Sequence, residues 1–122
     1  MSKLIYLDNA ATTSVIPEEF EAMKPKKLEN YSNPSSVYSF AGEAKKAMED
    51  ARKVIADSLG AAATEIYFTG GGSESDNWVL KGVAEAYSSK GKHIITSKIE
   101  HHAILHTCEY LEKHGYEVTY LD

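Results

Sequence analysis

The chain has 122 residues, 43% of them hydrophobic and 25% charged, with one cysteine and a formal net charge of −5. This is the length and composition of roughly one globular domain. The negative net charge gives no indication of nucleic-acid binding, which typically requires a basic surface. No apolar run reaches the roughly 18 residues that span a bilayer, and a lone cysteine excludes an internal disulfide, so we expect a cytoplasmic protein.

The first half of the chain predicts an extended arm followed by helices, which we assign to one region, residues 1–63. A first helix should kink or shorten at Pro25. The motif "SNPSS" indicates a loop, because Asn-Pro and paired serines interrupt regular structure. Apolar residues then recur every three or four positions over 40–59, which predicts a second helix, and Gly60 suits its C-terminal end.

Residues 64–122 predict the start of an α/β domain. Two helices alternate with three strands, and the expected order is strand 65–69, helix 73–88, strand 93–97, helix 102–114 and strand 116–121. This alternation is typical of a parallel α/β sheet. Because the last strand has nothing after it to cover it, we expect the chain to be the front part of a longer protein.

The junction "YFTGGGSESD" lies between the first of these strands and the following helix. Gly70–Gly72 permit positive φ and close approach of the backbone to a ligand. Ser73 and Asp76 have the spacing of a capping box, which predicts a helix start at Ser73. A helix N-terminus offers unpaired N–H groups and the positive end of a dipole, so an anion such as a phosphate fits there. The alternative is a flexible, well-capped turn.

A second candidate site is "TSKIEHHAILHTC". His101 follows a predicted strand at a predicted helix N-terminus, where the dipole disfavours a protonated imidazole. A neutral ring could stack on an aromatic cofactor and move a proton; the alternative is an exposed loop histidine. His102 and His106 could bind a metal with Cys108 nearby, but no zinc-binding spacing is completed, so we predict no metal site. We expect Cys108 to be a small core residue.

The motifs "YLDNAATT", "SNPSS", "EIYFTGGGSESDN" and "HIITSKIEHHAIL…LEKHGYEVTYL" occur in the order found in cysteine desulfurases of the NifS/IscS type. The chain resembles the N-terminal part of these enzymes over essentially its whole length. They are pyridoxal-5'-phosphate enzymes of the class V aminotransferase group. The resemblance implies an α/β fold, namely part of the three-layer sheet of the fold-type I large domain, preceded by the N-terminal arm and helices.

The resemblance also implies roles for particular residues. The usual family loop "FTSGATE" is "FTGGGSE" here, so Gly72 and Ser73 would bind the cofactor phosphate. His101 would stack on the pyridine ring and assist proton transfer. Asn9 and Asn33 lie in segments that match those lining the active site or the dimer contact.

The chain departs from the family in three respects. Tyr38 or Ser39 occupies a region where the family commonly has a histidine, and three glycines replace Ser-Gly-Ala. In the family, the lysine that binds the cofactor covalently, the aspartate on the pyridine nitrogen and the nucleophilic cysteine all lie beyond position 122. We therefore expect the 122-residue chain alone to be inactive.

The activity implied by the resemblance is removal of sulfur from L-cysteine, giving L-alanine and an enzyme persulfide for iron–sulfur clusters or other sulfur delivery. The family implies a homodimer, with a sulfur-acceptor scaffold protein as a further partner. One alternative is another class V pyridoxal-phosphate enzyme, such as a selenocysteine lyase or an aminotransferase. The other is a truncated fragment without catalytic activity.

Overall fold

A computed structural model describes residues 4–122, which divide into two compact units, one ending at Ile66 and the other spanning Tyr67–Asp122. The first unit contains α1 (Pro17–Leu28), α2 (Phe40–Leu59) and a single 3-10 turn, Ala63–Glu65. The second contains α3 (Gly72–Ala86), β1 (His93–Ser97), α4 (His102–Lys113) and β2 (Glu117–Leu121). The α/β class is confirmed, and the division into regions 1–63 and 64–122 stays a prediction.

Helix α1 runs through Pro25 and ends at Leu28, so Pro25 does not end this helix, and the predicted kink at Pro25 stays a prediction. Pro25 lies in the last turn, where its missing N–H removes only one intrahelical hydrogen bond. Its carbonyl oxygen accepts hydrogen bonds from the N–H groups of Glu29 and Asn30, at 3.0 and 2.8 Å. These two bonds complete the C-terminal end of the helix.

Helix α2 agrees closely with its predicted bounds. Gly60 ends it with φ of 66°, the left-handed conformation in which glycine has no Cβ penalty. Only Ala41 and Ala56 of this helix are buried, whereas Val54 and Leu59 on the predicted apolar face are exposed. No helix in the part of the chain from residue 4 onward combines the length and the apolar character that crossing a membrane requires.

The second unit is organised by a parallel pair of strands. β1 and β2 pair from His93 opposite Glu117 to Ser97 opposite Leu121, and α4 is the crossover between them. The predicted positions of both strands and of α4 are confirmed to within one residue at each end. His101 consequently follows the carboxyl end of β1.

The predicted strand at 65–69 is wrong. Glu65 belongs to the 3-10 turn, and residues 66–69 form no ladder with any other described segment. A β-strand is defined by its hydrogen-bonded neighbour, and the aromatic and β-branched composition of this segment supplies only the propensity. The sheet in the described residues therefore has two strands instead of three.

The core of the second unit lies where α3 packs against α4. Cys108 is completely buried and Leu111 is 4% exposed, while Ala84 faces them from α3. The hydroxyl of Tyr116, just before β2, donates a 2.6 Å hydrogen bond to the carbonyl oxygen of Ala84. The expectation that Cys108 is a core residue is confirmed.

We expect the 122-residue chain, purified by itself, to self-associate. Trp78, Val79 and Val83 of α3 are each more than half exposed, and neither outer edge of the β1–β2 pair has a partner strand among the described residues. Unpaired edges and contiguous apolar surface recruit other chains. Light scattering should show oligomers, and Val79→Lys should reduce them more than Glu85→Lys does. A monodisperse monomer at high concentration would contradict this expectation.

Candidate functional site

The start of α3 presents hydrogen-bond donors that no described residue uses. Gly71 is the N-cap residue, and its carbonyl oxygen accepts hydrogen bonds from the N–H groups of Glu74 and Ser75 at 3.1 and 3.2 Å. The first N–H groups of a helix have no intrahelical acceptor. We call the N–H groups of Gly72 and Ser73, together with the Ser73 hydroxyl, the donor cup.

The capping box predicted from Ser73 and Asp76 is wrong, because the helix starts one residue earlier, at Gly72. The carboxylate that supports this helix start is that of Glu74. Its Oε2 atom accepts a 2.6 Å hydrogen bond from the Gly70 N–H. Ser73 is thereby left inside the first turn with its N–H and hydroxyl unused within the described part of the chain.

The three glycines do not adopt left-handed conformations. Gly71 has φ of 163°, which is extended backbone that any residue adopts, and neither Gly70 nor Gly72 lies in the left-handed region. A Cβ atom at Gly70 would lie 3.1 Å from Glu74 Oε2, whereas Cβ atoms at Gly71 and Gly72 would meet nothing within 4 Å. Position 70 is therefore the one of these three at which a Cβ would be crowded, and the crowding atom is the end of the Glu74 side chain.

Two hydroxyls brace the loop beside the donor cup. The Oγ1 atom of Thr69 lies 2.7 Å from the Oγ atom of Ser75 and donates a 3.1 Å hydrogen bond to the Gly71 carbonyl oxygen. The first contact joins Thr69 to the first turn of α3, and the second joins it to the N-cap residue. They hold the loop in shape without using the donor cup.

The donor cup fits a phosphate group. Its two adjacent backbone N–H groups can only donate hydrogen bonds, and its hydroxyl can donate one. All three groups lie at the positive end of a 15-residue helix. The Glu74 carboxylate is engaged by Gly70. A dianionic phosphate with several acceptor oxygens is the ligand class that this donor set favours.

His101 is the N-cap residue of α4. Its Nδ1 atom accepts a 3.1 Å hydrogen bond from the N–H of Ala103. A ring nitrogen that accepts a hydrogen bond carries no proton, so the neutral ring bears its proton on Nε2. The neutral imidazole expected for His101 stays a prediction.

Ser73 and His101 line the same groove between α3 and α4, a cavity of about 440 Å³. Its walls include Ser73, Asn77, Lys81, His101, His106 and Thr107. No acidic residue lines this groove, and the Lys81 ammonium lies 4.9 Å from the centre of the Tyr110 ring. The absence of carboxylates from the walls favours an anionic ligand.

The remaining candidate residues lie elsewhere. Asn9 and Asn33 belong to the first unit, where the Asn33 side chain accepts a 2.9 Å hydrogen bond from the Ser35 N–H. Their predicted role at the active site or dimer contact stays a prediction. The His102 and His106 rings stack with centroids 5.3 Å apart, and residues 4–122 contain no group of three or more side chains placed to hold a metal.

The sequence analysis missed two residues in the groove. Thr107 is 3% exposed, and its hydroxyl donates a 2.8 Å hydrogen bond to Asn77 Oδ1 across the two helices. Two features of the sequence could have identified them: Thr107 is a polar residue on the apolar face of α4, and Asn77 lies one helical turn after Ser73. Both residues belong to the same groove as the predicted site residues.

Cys108 is unsuited to sulfur transfer. Burial, and then the nearby carboxylates of Glu112 and Glu100, raise the pKa of the Cys108 thiol above its ordinary value. Because the thiolate is the nucleophilic form, a raised pKa reduces reactivity near neutral pH.

Comparison with known proteins gives a consistent result. Residues 5–122 match the family described as Aminotransferase class-V. The cysteine desulfurase IscS of Methanosarcina thermophila is 59% identical over 120 residues, which cover 98% of this chain and 30% of that protein. A solved structure of a NifS-like protein has a TM-score of 0.90 and 43% identity, covering 96% of this chain and 32% of that one.

A further solved structure, SspA in complex with cysteine, has a TM-score of 0.88 and 46% identity. The match covers 95% of this chain and 33% of the SspA chain. The chain therefore spans about a third of the length of the proteins that it resembles.

We expect Ser73→Ala in the intact protein to weaken binding of pyridoxal phosphate by about 1.5–3 kcal/mol, because one hydrogen bond to a charged group is lost. Ser88→Ala is the matched control, since it removes an exposed serine hydroxyl in the turn after α3, away from the donor cup. Titration of the apoprotein, followed by absorbance, measures both affinities. Equal affinity of Ser73→Ala and the unsubstituted protein would remove the Ser73 hydroxyl from the site.

We expect Cys108 to react slowly with iodoacetamide at pH 7.5 in the folded protein and quickly after denaturation.

The raised pKa of Cys108 also determines how its contribution to the free energy of unfolding changes with pH. The unfolded thiol ionises first, so its contribution to stability is complete below about pH 8.5 and is lost as the pH rises further. Comparing chemical denaturation of the unsubstituted protein and Cys108→Ala at pH 7 and 10 measures this; an identical pH dependence would contradict it.

Proposed function

Because the chain belongs to the class-V aminotransferase family, we propose that it is the N-terminal part of a cysteine desulfurase. The substrate would be L-cysteine, and the products would be L-alanine and a persulfide on the enzyme. The observation that carries this proposal is the α3–α4 groove, whose walls contain both Ser73 of the donor cup and His101. A phosphate-binding end and a neutral aromatic ring are the two contacts that a phosphorylated pyridine cofactor needs.

In this proposal the donor cup binds the phosphate of pyridoxal 5'-phosphate. The N–H groups of Gly72 and Ser73 and the Ser73 hydroxyl donate hydrogen bonds to its oxygens, and the dipole of α3 favours its charge. The bound cofactor supplies an electron sink for chemistry at the substrate α-carbon. The protein contributes the position and orientation of the reacting groups.

His101 would lie against the pyridine ring and move a proton. The hydrogen bond from the Ala103 N–H to Nδ1 fixes the tautomer and limits rotation of the ring. Nε2–H is then a hydrogen-bond donor, and Nδ1 is the basic nitrogen of the neutral ring, which would take up a proton only on releasing its contact with the Ala103 N–H. One backbone contact therefore sets both the orientation and the protonation pattern of the ring.

The wider biological setting is part of the same proposal. We infer a cytoplasmic homodimer that passes sulfur to an acceptor scaffold protein, with Asn9 and Asn33 near the active site or the dimer contact. The lone cysteine of this sequence agrees with a reducing compartment. Because Cys108 is completely buried, the persulfide would form on a different cysteine of the intact protein.

The test is an assay of the intact protein with pyridoxal phosphate, L-cysteine and a thiol reductant. Equimolar alanine and sulfide, absent from a blank of cofactor without protein, are the expected products. L-Selenocysteine and an amino acid with a 2-oxo acid acceptor, supplied separately, test for a selenocysteine lyase and an aminotransferase. Transamination without sulfide release, or no product at all, would overturn the assignment.

We expect His101→Asn to lower kcat at least about 100-fold, the usual scale for a group that transfers a proton. Asparagine retains an N-cap acceptor, so α4 should keep its stability while the ring is lost. His114→Ala, at the other end of α4, is the matched control. Affinity for pyridoxal phosphate should change much less than kcat. Normal turnover by His101→Asn would exclude His101 from catalysis.

A further inference from the structure

We propose that Asn77 and Thr107 form a positioning bridge, which fixes the donor cup on α3 relative to His101 on α4. This inference rests on the proposed function, since it concerns the two parts of that site. Neither residue needs to touch the cofactor. Their role is to keep the two helix starts at the spacing that a single ligand requires.

The bridge consists of two hydrogen bonds through one amide side chain. Asn77 Nδ2 donates to the carbonyl oxygen of Ser73 at 2.9 Å, and Asn77 Oδ1 accepts from the Thr107 hydroxyl at 2.8 Å. The amide can be placed in only one way, because the reverse orientation would bring its oxygen against the Ser73 carbonyl oxygen. Thr107 is thereby connected through the Asn77 side chain to Ser73, a residue of the donor cup.

The bridge supplies direction that the remaining contacts between α3 and α4 lack. Around it the helices pack through Ala84, Cys108 and Leu111, which are all buried. Apolar contacts of this kind are non-directional and permit small sliding movements of one helix along the other. No other side-chain hydrogen bond among the described residues joins α3 directly to α4.

Burial makes the bridge difficult to rearrange. Thr107 is 3% exposed although it lines the groove, so its hydroxyl has little access to water that could replace Asn77 if the helices shift. Leaving a buried hydroxyl without a partner is unfavourable. The helix register in which Asn77 meets Thr107 is consequently favoured over neighbouring registers.

Both ends of the bridge are close to the residues that they position. Asn77 lies one turn after Ser73 on the same helix, and Thr107 lies on the helix that His101 caps. Helices transmit such positions over one or two turns because their backbone is rigid. A displacement of even about 1 Å between two groups that hold one ligand is enough to reduce the rate greatly.

The experiment uses four variants of the intact protein loaded with pyridoxal phosphate. Asn77→Leu keeps the approximate side-chain size but loses both the Nδ2 donor and the Oδ1 acceptor, and Thr107→Val keeps the shape but loses the hydroxyl. The third variant combines both changes, and Thr107→Ser restores the hydroxyl. The readouts are the visible circular dichroism band of the bound cofactor, the cofactor dissociation constant, kcat and the melting temperature.

We expect each single variant to lower kcat by about tenfold and to change the intensity of the dichroism band. The double variant should be no worse than the more impaired single one, because both changes break the same bridge. Thr107→Ser should lie within about twofold of the unsubstituted protein. The dichroism band reports the orientation of the cofactor and needs no turnover.

Tyr116→Phe is the matched control. It removes a 2.6 Å hydrogen bond to the Ala84 carbonyl oxygen, near the other end of α3. It should lower the melting temperature while leaving the dichroism band and kcat unchanged. If Asn77→Leu and Thr107→Val behave in this way too, the bridge is only structural and the proposal is overturned.

The assay separates this proposal from the proposed function. If the unsubstituted protein binds pyridoxal phosphate but releases no sulfide, the proposed function fails, and the dichroism comparison still decides the role of the bridge. If the unsubstituted protein does not bind pyridoxal phosphate, both proposals are overturned. Additive effects of the two substitutions would also overturn the bridge.

Discussion

Parallel pairing of β1 with β2 is the constraint on which the second unit depends. Two parallel strands cannot be joined by a tight turn and need a crossover of about a dozen or more residues. Helix α4 and its flanking turns form that crossover. The crossover must leave from the carboxyl end of β1, which places His101 at the edge where open α/β sheets bind ligands. Packing of α3 on α4 then brings Ser73 into the same groove.

Several polar groups around the groove are already hydrogen-bonded within the protein, so a smaller set of donors is free to bind a ligand. Glu74 accepts from Gly70, Thr107 donates to Asn77, and His101 accepts from Ala103. Each of these bonds satisfies a group that would otherwise compete for a ligand. The donors that remain among the described lining residues include the donor cup, the Nε2 atom of His101 and the Lys81 ammonium. The binding capacity of the site therefore follows from which bonds the fold has already made.

Features set by local sequence were predicted well, and those set by distant contacts were not. Strand 93–97 and the start of α4 agree with the structure because short apolar runs and helical periodicity are local signals. Strand 65–69 failed because propensity cannot supply a partner strand. The Ser73 capping box failed because Gly71 caps α3 through its backbone alone. The contact of Asn77 with Thr107 joins residues 30 positions apart, and no spacing rule predicts it.

The glycine loop shows how order is achieved where the backbone is intrinsically flexible. Glycine loses more conformational freedom on ordering than other residues do, and neither Gly71 nor Gly72 needs to be glycine for space or for φ. The loop therefore depends on side chains for its shape: Glu74 holds Gly70, and Thr69 contacts both Ser75 and Gly71. The contacts with Glu74 and Ser75 tie the loop to the first turn of α3, and the contact with Gly71 ties it to the N-cap residue. Because that turn carries the donor cup, the interactions that order the loop also orient the groups proposed to bind phosphate.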